Sequence, residues 1–206
     1  MTHTKTRITL ATKITMVRLL GVPVFIVLVM YYLASIRDGA LDDHYRIAAL
    51  ALFLGIALTD ALDGHLARKR GEITRLGSIL DPIADKALML SGLILLTKPA
   101  IADFEPRLPL WFTGLVISRD VFLVAGAFLI RFFAREVHIR PHLTGKLSTV
   151  MQVVVIAWVL ARGTQSTLFM LVIIAAVFTA ASGIIYLRDG LRQLEHGQRR
   201  PESNSP

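Results

Sequence analysis

Between Asp60 and Lys86 the sequence reads DALDGHLARKRGEITRLGSILDPIADK, the one stretch in which acidic residues recur at helical spacing inside otherwise apolar runs. Asp60 and Asp63 are three residues apart and Asp81 and Asp85 four apart, so each pair shares one face of its helix, a turn apart. Arg68, Lys69, Arg70, Gly71 and Glu72 break the apolar pattern between the pairs. That break predicts an antiparallel helical hairpin, its first helix ending at Gly71, with four carboxylates converging at one end. Pro82 fits such a second helix only in its first turn or at a kink, because deeper in it removes a backbone hydrogen bond. Clustered carboxylates near a membrane repel one another and are penalised by desolvation, so cations must sit among them. Hard divalent ions suit an all-oxygen set, and Mg²⁺ or Mn²⁺ usually shares carboxylates with substrate phosphates, two ions together clamping a phosphoryl displacement. Gly64 and Ala67 leave a patch free of large side chains where a flat ligand can approach the backbone, and Arg68 can meet a phosphate with two parallel hydrogen bonds.

Two other readings stand beside this one. Any single aspartate here can be a helix cap or the partner of Lys69, Arg70 or Lys86. A proton or sodium relay in a small transporter also uses intramembrane aspartates, although it places them near the bilayer midplane, usually at helix breaks.

The elements that must carry these residues are membrane helices. The 206 residues contain no cysteine, 54% are hydrophobic and only 18% charged, where a soluble domain is roughly a quarter charged. A disulfide-stapled secreted scaffold is excluded because there is no thiol to pair. A spanning helix needs about 20 apolar residues, and six stretches qualify once polar ends are allowed: Leu19 to Ile36, Ile47 to about Ala67, Ile79 to Thr97, Leu108 to Phe133, Leu147 to Ala161 and Gly163 to Leu187. The first is long for a signal peptide and no small-x-small cleavage site follows it before Arg37. Turn signals separate the later stretches, at Lys98-Pro99, Glu105-Pro106, Arg140-Pro141, Gly145 and Gly163. The expected architecture is therefore an all-α polytopic integral membrane protein of six transmembrane helices, one domain over residues 1–196 with a tail at 197–206.

Within the net charge of +8, lysine and arginine are in large excess on the flanks that share a side with both termini and in balance with acids on the opposite flanks, so the positive-inside rule makes the first side cytoplasmic. Topology and an anionic lipid surface account for this charge, and nucleic acid is not an expected partner. Tyr31, Tyr32, Tyr45, Trp111 and Trp158 read as interfacial anchors. The six histidines show no shared ligand spacing, so a zinc site is not expected. Arg119 and Asp120, alone in the middle of the fourth apolar run, are expected to pair with each other.

Taken together, the acidic segment resembles the signature of the CDP-alcohol phosphatidyltransferases, D-x2-D-G-x2-A-R-x8-G-x3-D-x3-D, with every fixed position filled: Asp60, Asp63, Gly64, Ala67, Arg68, Gly77, Asp81 and Asp85. Thr15-x-x-Arg18-x4-Pro23 is similar to the family's amino-terminal entry, and Gly145-Lys146-x-x-Thr149-x-x-Gln152 to the start of helix five in its glycerophospholipid branch, with Thr12 where that branch often has asparagine. The resemblance implies transfer of a phosphatidyl group from CDP-diacylglycerol to an alcohol with release of CMP, at the cell (inner) membrane, with the active site facing the cytoplasm. It implies that Asp60, Asp63, Asp81 and Asp85 hold two divalent cations, Mg²⁺ or Mn²⁺, and that Gly64, Ala67, Arg68 and Gly77 hold the cytidine nucleotide and its phosphates. It makes Asp85 the general base and the protein a homodimer among membrane lipids. Glycerol 3-phosphate is the expected acceptor, served by the basic stretch Arg131, Arg135, Arg140 and Lys146 or leaving that stretch to orientation and lipid contact. Ile117-Ser118-Arg119-Asp120 is closer to the branch whose acceptor is phosphatidylglycerol.

Overall fold

The computed structural model describes residues 10–39, 42–70, 75–97, 104–134 and 143–198, and within them the side chains outside 10–15, 60–70, 75–83, 85, 127–134 and 191–198. The order is α1 (Leu10–Arg37), α2 (Asp43–Arg70), α3 (Arg75–Leu96), α4 (Leu110–Ala134), α5 (Leu143–Leu160) and α6 (Gln165–Gln198), with no strand among the described residues. All six expected helices are present. Most extend past their apolar stretches, α1 back to Leu10 and α6 on to Gln198, because the i to i−4 bonds continue wherever the backbone allows and do not stop where hydropathy falls. The tail expected from Gly197 lies almost wholly outside the described residues. Among them, three helical stretches are long and apolar enough to cross a bilayer: Met16–Arg37, Leu143–Leu160 and Gln165–Gly190.

The chain divides into two compact units, Met1–Leu108 with Ile156–Gln165, and Pro109–Val155 with Ser166–Pro206. In the first, α1 packs on both α2 and α3. Val22, Phe25, Val29, Tyr32 and Ile36 form its buried stripe at alternating three- and four-residue steps, while Val17, Leu20, Val24, Val27 and Met30 on other faces are exposed. A helix apolar all round belongs in lipid, where close van der Waals packing takes over from the hydrophobic effect in joining helices. Small residues permit that approach. A Cβ on Gly21 would meet Ile56 Cδ1 at 2.6 Å, and one on Gly92 would lie 3.3 Å from Ile156 and 3.6 Å from Phe25. Phe25 and Phe53 pack with ring centroids 5.6 Å apart.

The end of this unit that holds the α1–α2 connection is tied by polar groups. Asp42 caps α2: its Oδ1 accepts from the His44 backbone N–H at 3.0 Å, and its own N–H donates to Ser35 Oγ at 3.3 Å. Arg46 donates to Asp43 Oδ1 at 2.8 Å and to the Leu160 carbonyl at 3.0 Å, a cation at the carboxyl end of α5. Tyr31 stacks on Tyr45 at 5.3 Å. Gln165 closes the start of α6 on the chain before α4, its Oε1 accepting from Arg107 N at 2.7 Å and its Nε2 donating to Arg107 O at 3.3 Å.

The His44 backbone N–H holds the Asp42 carboxyl below its ordinary range, and the Arg46 side chain does the same for Asp43. A depressed carboxyl stabilises the fold above its unfolded pKa and loses that contribution as pH falls through the folded one. Asp42→Ala is therefore expected to lower the thermal unfolding midpoint in detergent at pH 7, with the gap to the unmodified protein closing below about pH 4, the unfolded carboxylate value.

In the second unit the buried stripe of α6 runs Leu168, Val172, Ala175, Thr179 and Ser182, while Phe169, Met170, Ile173, Ile174, Val177, Ile184 and Leu187 are exposed. Its interior is partly polar. Thr179 Oγ1 donates to the Ala175 carbonyl at 2.7 Å, so in the 2.8 Å contact between Ser148 and Thr179 the proton comes from Ser148, which in turn accepts from Gln152 Nε2 at 3.2 Å. The result is a directed chain from α5 to α6, and such bonds pin helix register where water cannot compete.

Candidate active site

The helix bounds position the acidic set without reference to side chains. α2 runs unbroken through Asp60 and Asp63 to Arg70, and α3 runs from Arg75 through Asp81 and Asp85. The three- and four-residue spacings therefore put each pair of positions on one side of its helix. At 1.5 Å per residue, Asp63 and Asp81 lie about 10 Å, and Asp60 and Asp85 about 15 Å, from the helix ends that face the connection. Residues 71–74 join those ends, and a link of that length reaches at most about 18 Å. The two pairs thus lie at matched distances along their own helices from the connection, on two helices that both pack on α1.

The side chains of Asp60, Asp63, Gly64, Ala67, Arg68, Gly77, Asp81 and Asp85 lie outside the described residues, as do Gly71 and the basic residues Arg131, Arg135 and Arg140. No group of three metal-ligating side chains occurs among the described residues. The first-turn alternative for Pro82 is corrected, since α3 begins at Arg75 and Pro82 lies about two turns inside it. It has no N–H to give the Ser78 carbonyl. Aspartate oxygens are the ligand type that hard divalent cations prefer, so the residue types at these positions fit such ions. Arg18, on α1, is 4% exposed, a buried cation on the helix that carries both acid-bearing ones.

Arg119 and Asp120 do pair, Nη1 to Oδ1 at 2.8 Å, with side chains 8% and 13% exposed. Consecutive helical residues project about 100° apart, so the long arginine stem folds back to reach its neighbour. It is not held by Asp120 alone. Nε donates to Ser182 Oγ at 3.1 Å, and the Tyr186 ring centroid lies 6.0 Å from Cζ. The sequence reading singled out Gly145 and Gln152 but overlooked Ser148, Thr179, Ser182, Gly183 and Tyr186. Their signal was available, as small and polar residues three or four apart inside apolar helices mark helix contacts in membranes.

The described residues are helical, with three stretches long and apolar enough to cross a bilayer, and the acid positions recur at helical spacing on two consecutive helices. The family model described as CDP-alcohol phosphatidyltransferase matches residues 8–181. The chain belongs to that family. It is 34% identical over 189 residues to a probable phosphatidylglycerophosphate synthase of Mycobacterium tuberculosis (strain H37Rv), covering 90% of this chain and 83% of that one. It is 31% identical over 186 residues to the CDP-diacylglycerol--glycerol-3-phosphate 3-phosphatidyltransferase of Bacillus subtilis, covering 86% and 92%. A cardiolipin synthase (CMP-forming) of Streptomyces coelicolor is 36% identical over 124 residues, covering 60% and 52%. The transporter alternative falls, because the matched family is one of group-transfer enzymes.

Proposed function

We propose that the chain transfers the phosphatidyl group of CDP-diacylglycerol to glycerol 3-phosphate and releases CMP. The observation that carries this reading is the complete acid set, two pairs at helical spacing on α2 and α3 at matched distances from their connection, in a chain similar over most of its length to relatives named for that reaction. Asp60, Asp63, Asp81 and Asp85 hold two divalent cations, Mg²⁺ or Mn²⁺, which when bound neutralise the pyrophosphate of the donor. Gly64, Ala67 and Gly77 let the cytidine nucleotide approach the backbone, and Arg68 hydrogen-bonds its phosphate oxygens. Asp85 accepts the proton of the acceptor hydroxyl as its oxygen forms a bond to the lipid phosphorus, while the bond from that phosphorus to the bridging oxygen breaks and CMP leaves with the electron pair.

The remaining helices supply the setting. α2, α3 and α4, with 28, 22 and 25 residues, exceed the length a span requires. All six helices cross the membrane, with both termini and the active site on the cytoplasmic side of the inner membrane, where the excess of lysine and arginine lies. Residues 1–196 act as one catalytic domain, and the enzyme is a homodimer. The second reading, phosphatidylglycerol as acceptor, is favoured by Ile117-Ser118-Arg119-Asp120 and by the shorter match to the Streptomyces coelicolor relative.

The test supplies purified protein and Mg²⁺ or Mn²⁺ with CDP-diacylglycerol and, in parallel, glycerol 3-phosphate, phosphatidylglycerol, serine or inositol phosphate. CMP release with the glycerophosphate product is the expected outcome. A diphosphatidyl product transfers the assignment to the second reading, and no CMP with any acceptor removes the proposal.

A further inference from the structure

Arg18 continues the buried stripe of α1. It precedes Val22, Phe25, Val29, Tyr32 and Ile36 at the same alternating steps of three and four residues, and it is 4% exposed. Position 60 extends the buried stripe Ala49, Phe53 and Ile56 of α2 in the same way, and position 85 extends Met89, Gly92 and Leu96 of α3. All three stripes belong to the first compact unit, in which α1 packs on α2 and α3. Phe25 packs on Phe53, Tyr31 stacks on Tyr45, and a Cβ on Gly21 would meet Ile56, so α1 and α2 run antiparallel. A link of four residues returns the chain from α2 into α3, which therefore runs parallel to α1 and brings Gly92 to within 3.6 Å of Phe25, measured from a Cβ placed on the glycine.

These contacts fix the register. From Gly21, level with Ile56, three residues along α1 lead to Arg18 and four along α2 lead to Asp60, rises of about 5 and 6 Å. From Phe25, level with Gly92, seven residues along α1 lead to Arg18 and seven along α3 lead to Asp85, about 10 Å on each helix. Two separate contacts thus bring Arg18 level with the two acid positions farthest from the α2–α3 connection. A guanidinium taken out of water needs anions beside it. Asp38, Asp42 and Asp43 stand beyond the other end of α1, about 30 Å away, and the acid set is what remains at this level. Lys86, one residue from Asp85, is half-buried and about 100° around α3 from it.

We infer that Arg18 is a positioning residue for Asp60 and Asp85, its charge offsetting theirs and keeping the two positions together when no cation is bound. The inference rests on the proposed transfer reaction, whose cation-holding acids it concerns, and adds the group that keeps them assembled before the cations arrive.

Unfolding midpoints in detergent are measured in EDTA and in saturating Mn²⁺ for the unmodified protein, Arg18→Met and Arg18→Lys. Arg18→Met is also placed on a background of Asp60→Asn with Asp85→Asn and compared with that background in EDTA. In EDTA, Arg18→Met is expected to lower the midpoint by about 8 °C, the scale for removing one partner of a buried ion pair in a chain of this size. Mn²⁺ is expected to recover more than half of that loss, because bound cations supply the positive charge the arginine gave, whereas a loss of packing is the same in both solutions. Arg18→Lys, which keeps the charge, is expected to lose less than half as much. On the neutralised background Arg18→Met is expected to cost less than half of what it costs in the unmodified chain, since the acids it balanced are gone. None of these readings requires turnover. Protein that shows this pattern yet releases no CMP removes the transfer reaction and leaves the role of Arg18 standing. Protein that releases CMP, but in which Arg18→Met costs the same in EDTA, in Mn²⁺ and on the neutralised background, overturns the inference alone. Arg18→Met that folds only on the neutralised background supports the inference, and failure to fold on either background overturns it.

Discussion

Asp85→Asn is expected to reduce CMP release from CDP-diacylglycerol by about a thousandfold or more, while the protein keeps its unfolding midpoint and its helix content. Asparagine matches aspartate in shape and in helix propensity, so α3, which continues from Arg75 to Leu96 around this position, has no reason to change. The side chain loses its proton affinity and its charge together. A positioned general base contributes typically 10²–10⁴ in rate, and loss of one anion from a four-carboxylate set adds to that by weakening cation binding. The two effects separate by titration with Mn²⁺: activity restored at high metal concentration assigns Asp85 to holding the cation, and activity that stays lost assigns it to proton transfer. Retention of more than a tenth of the activity at the original metal concentration removes Asp85 from both roles.

Arg119→Met should cost about 3 kcal/mol of stability, the lower end of what removing one partner of a buried ion pair costs. Asp120 keeps a side chain only 13% exposed beside a methionine that offers it no donor, and Ser182 Oγ loses the donor at 3.1 Å. Adding Asp120→Asn to the same chain is expected to recover more than half of the loss, because the buried carboxylate deprived of its arginine, and not the missing attraction, dominates the penalty. Unfolding midpoints of the single and double variants in detergent give the comparison. A double variant no more stable than Arg119→Met alone shows that Asp120 is stabilised by other groups and that the pair is not the main term.

The helices themselves were legible because bilayer thickness imposes a length and an apolar run that few other structures produce. Leu19 to Ile36 marked α1, yet the helix begins at Leu10, since hydropathy reports the solvent a helix lies in and not where its hydrogen bonds begin. Pro82 was harder to place. Local rules admitted a first-turn position, but the start of α3 at Arg75 puts the proline well inside.

What the amino-acid order settled by itself is the covalent spacing of the acid set. Asp60, Asp63, Asp81 and Asp85 fall on helical repeats around a short polar break, and such spacing follows from the 3.6-residue turn wherever a helix forms. Only the tertiary structure decided which groups from distant segments meet. Arg119 finds Ser182 and Tyr186, and Ser148 finds Thr179, across separations at which sequence periodicity carries no information. Those contacts depend on how closely two helix backbones approach. Gly145 leaves room for the Tyr186 hydroxyl and the Arg119 guanidinium through the side chain it lacks, and a missing Cβ acquires meaning only when its neighbour is known.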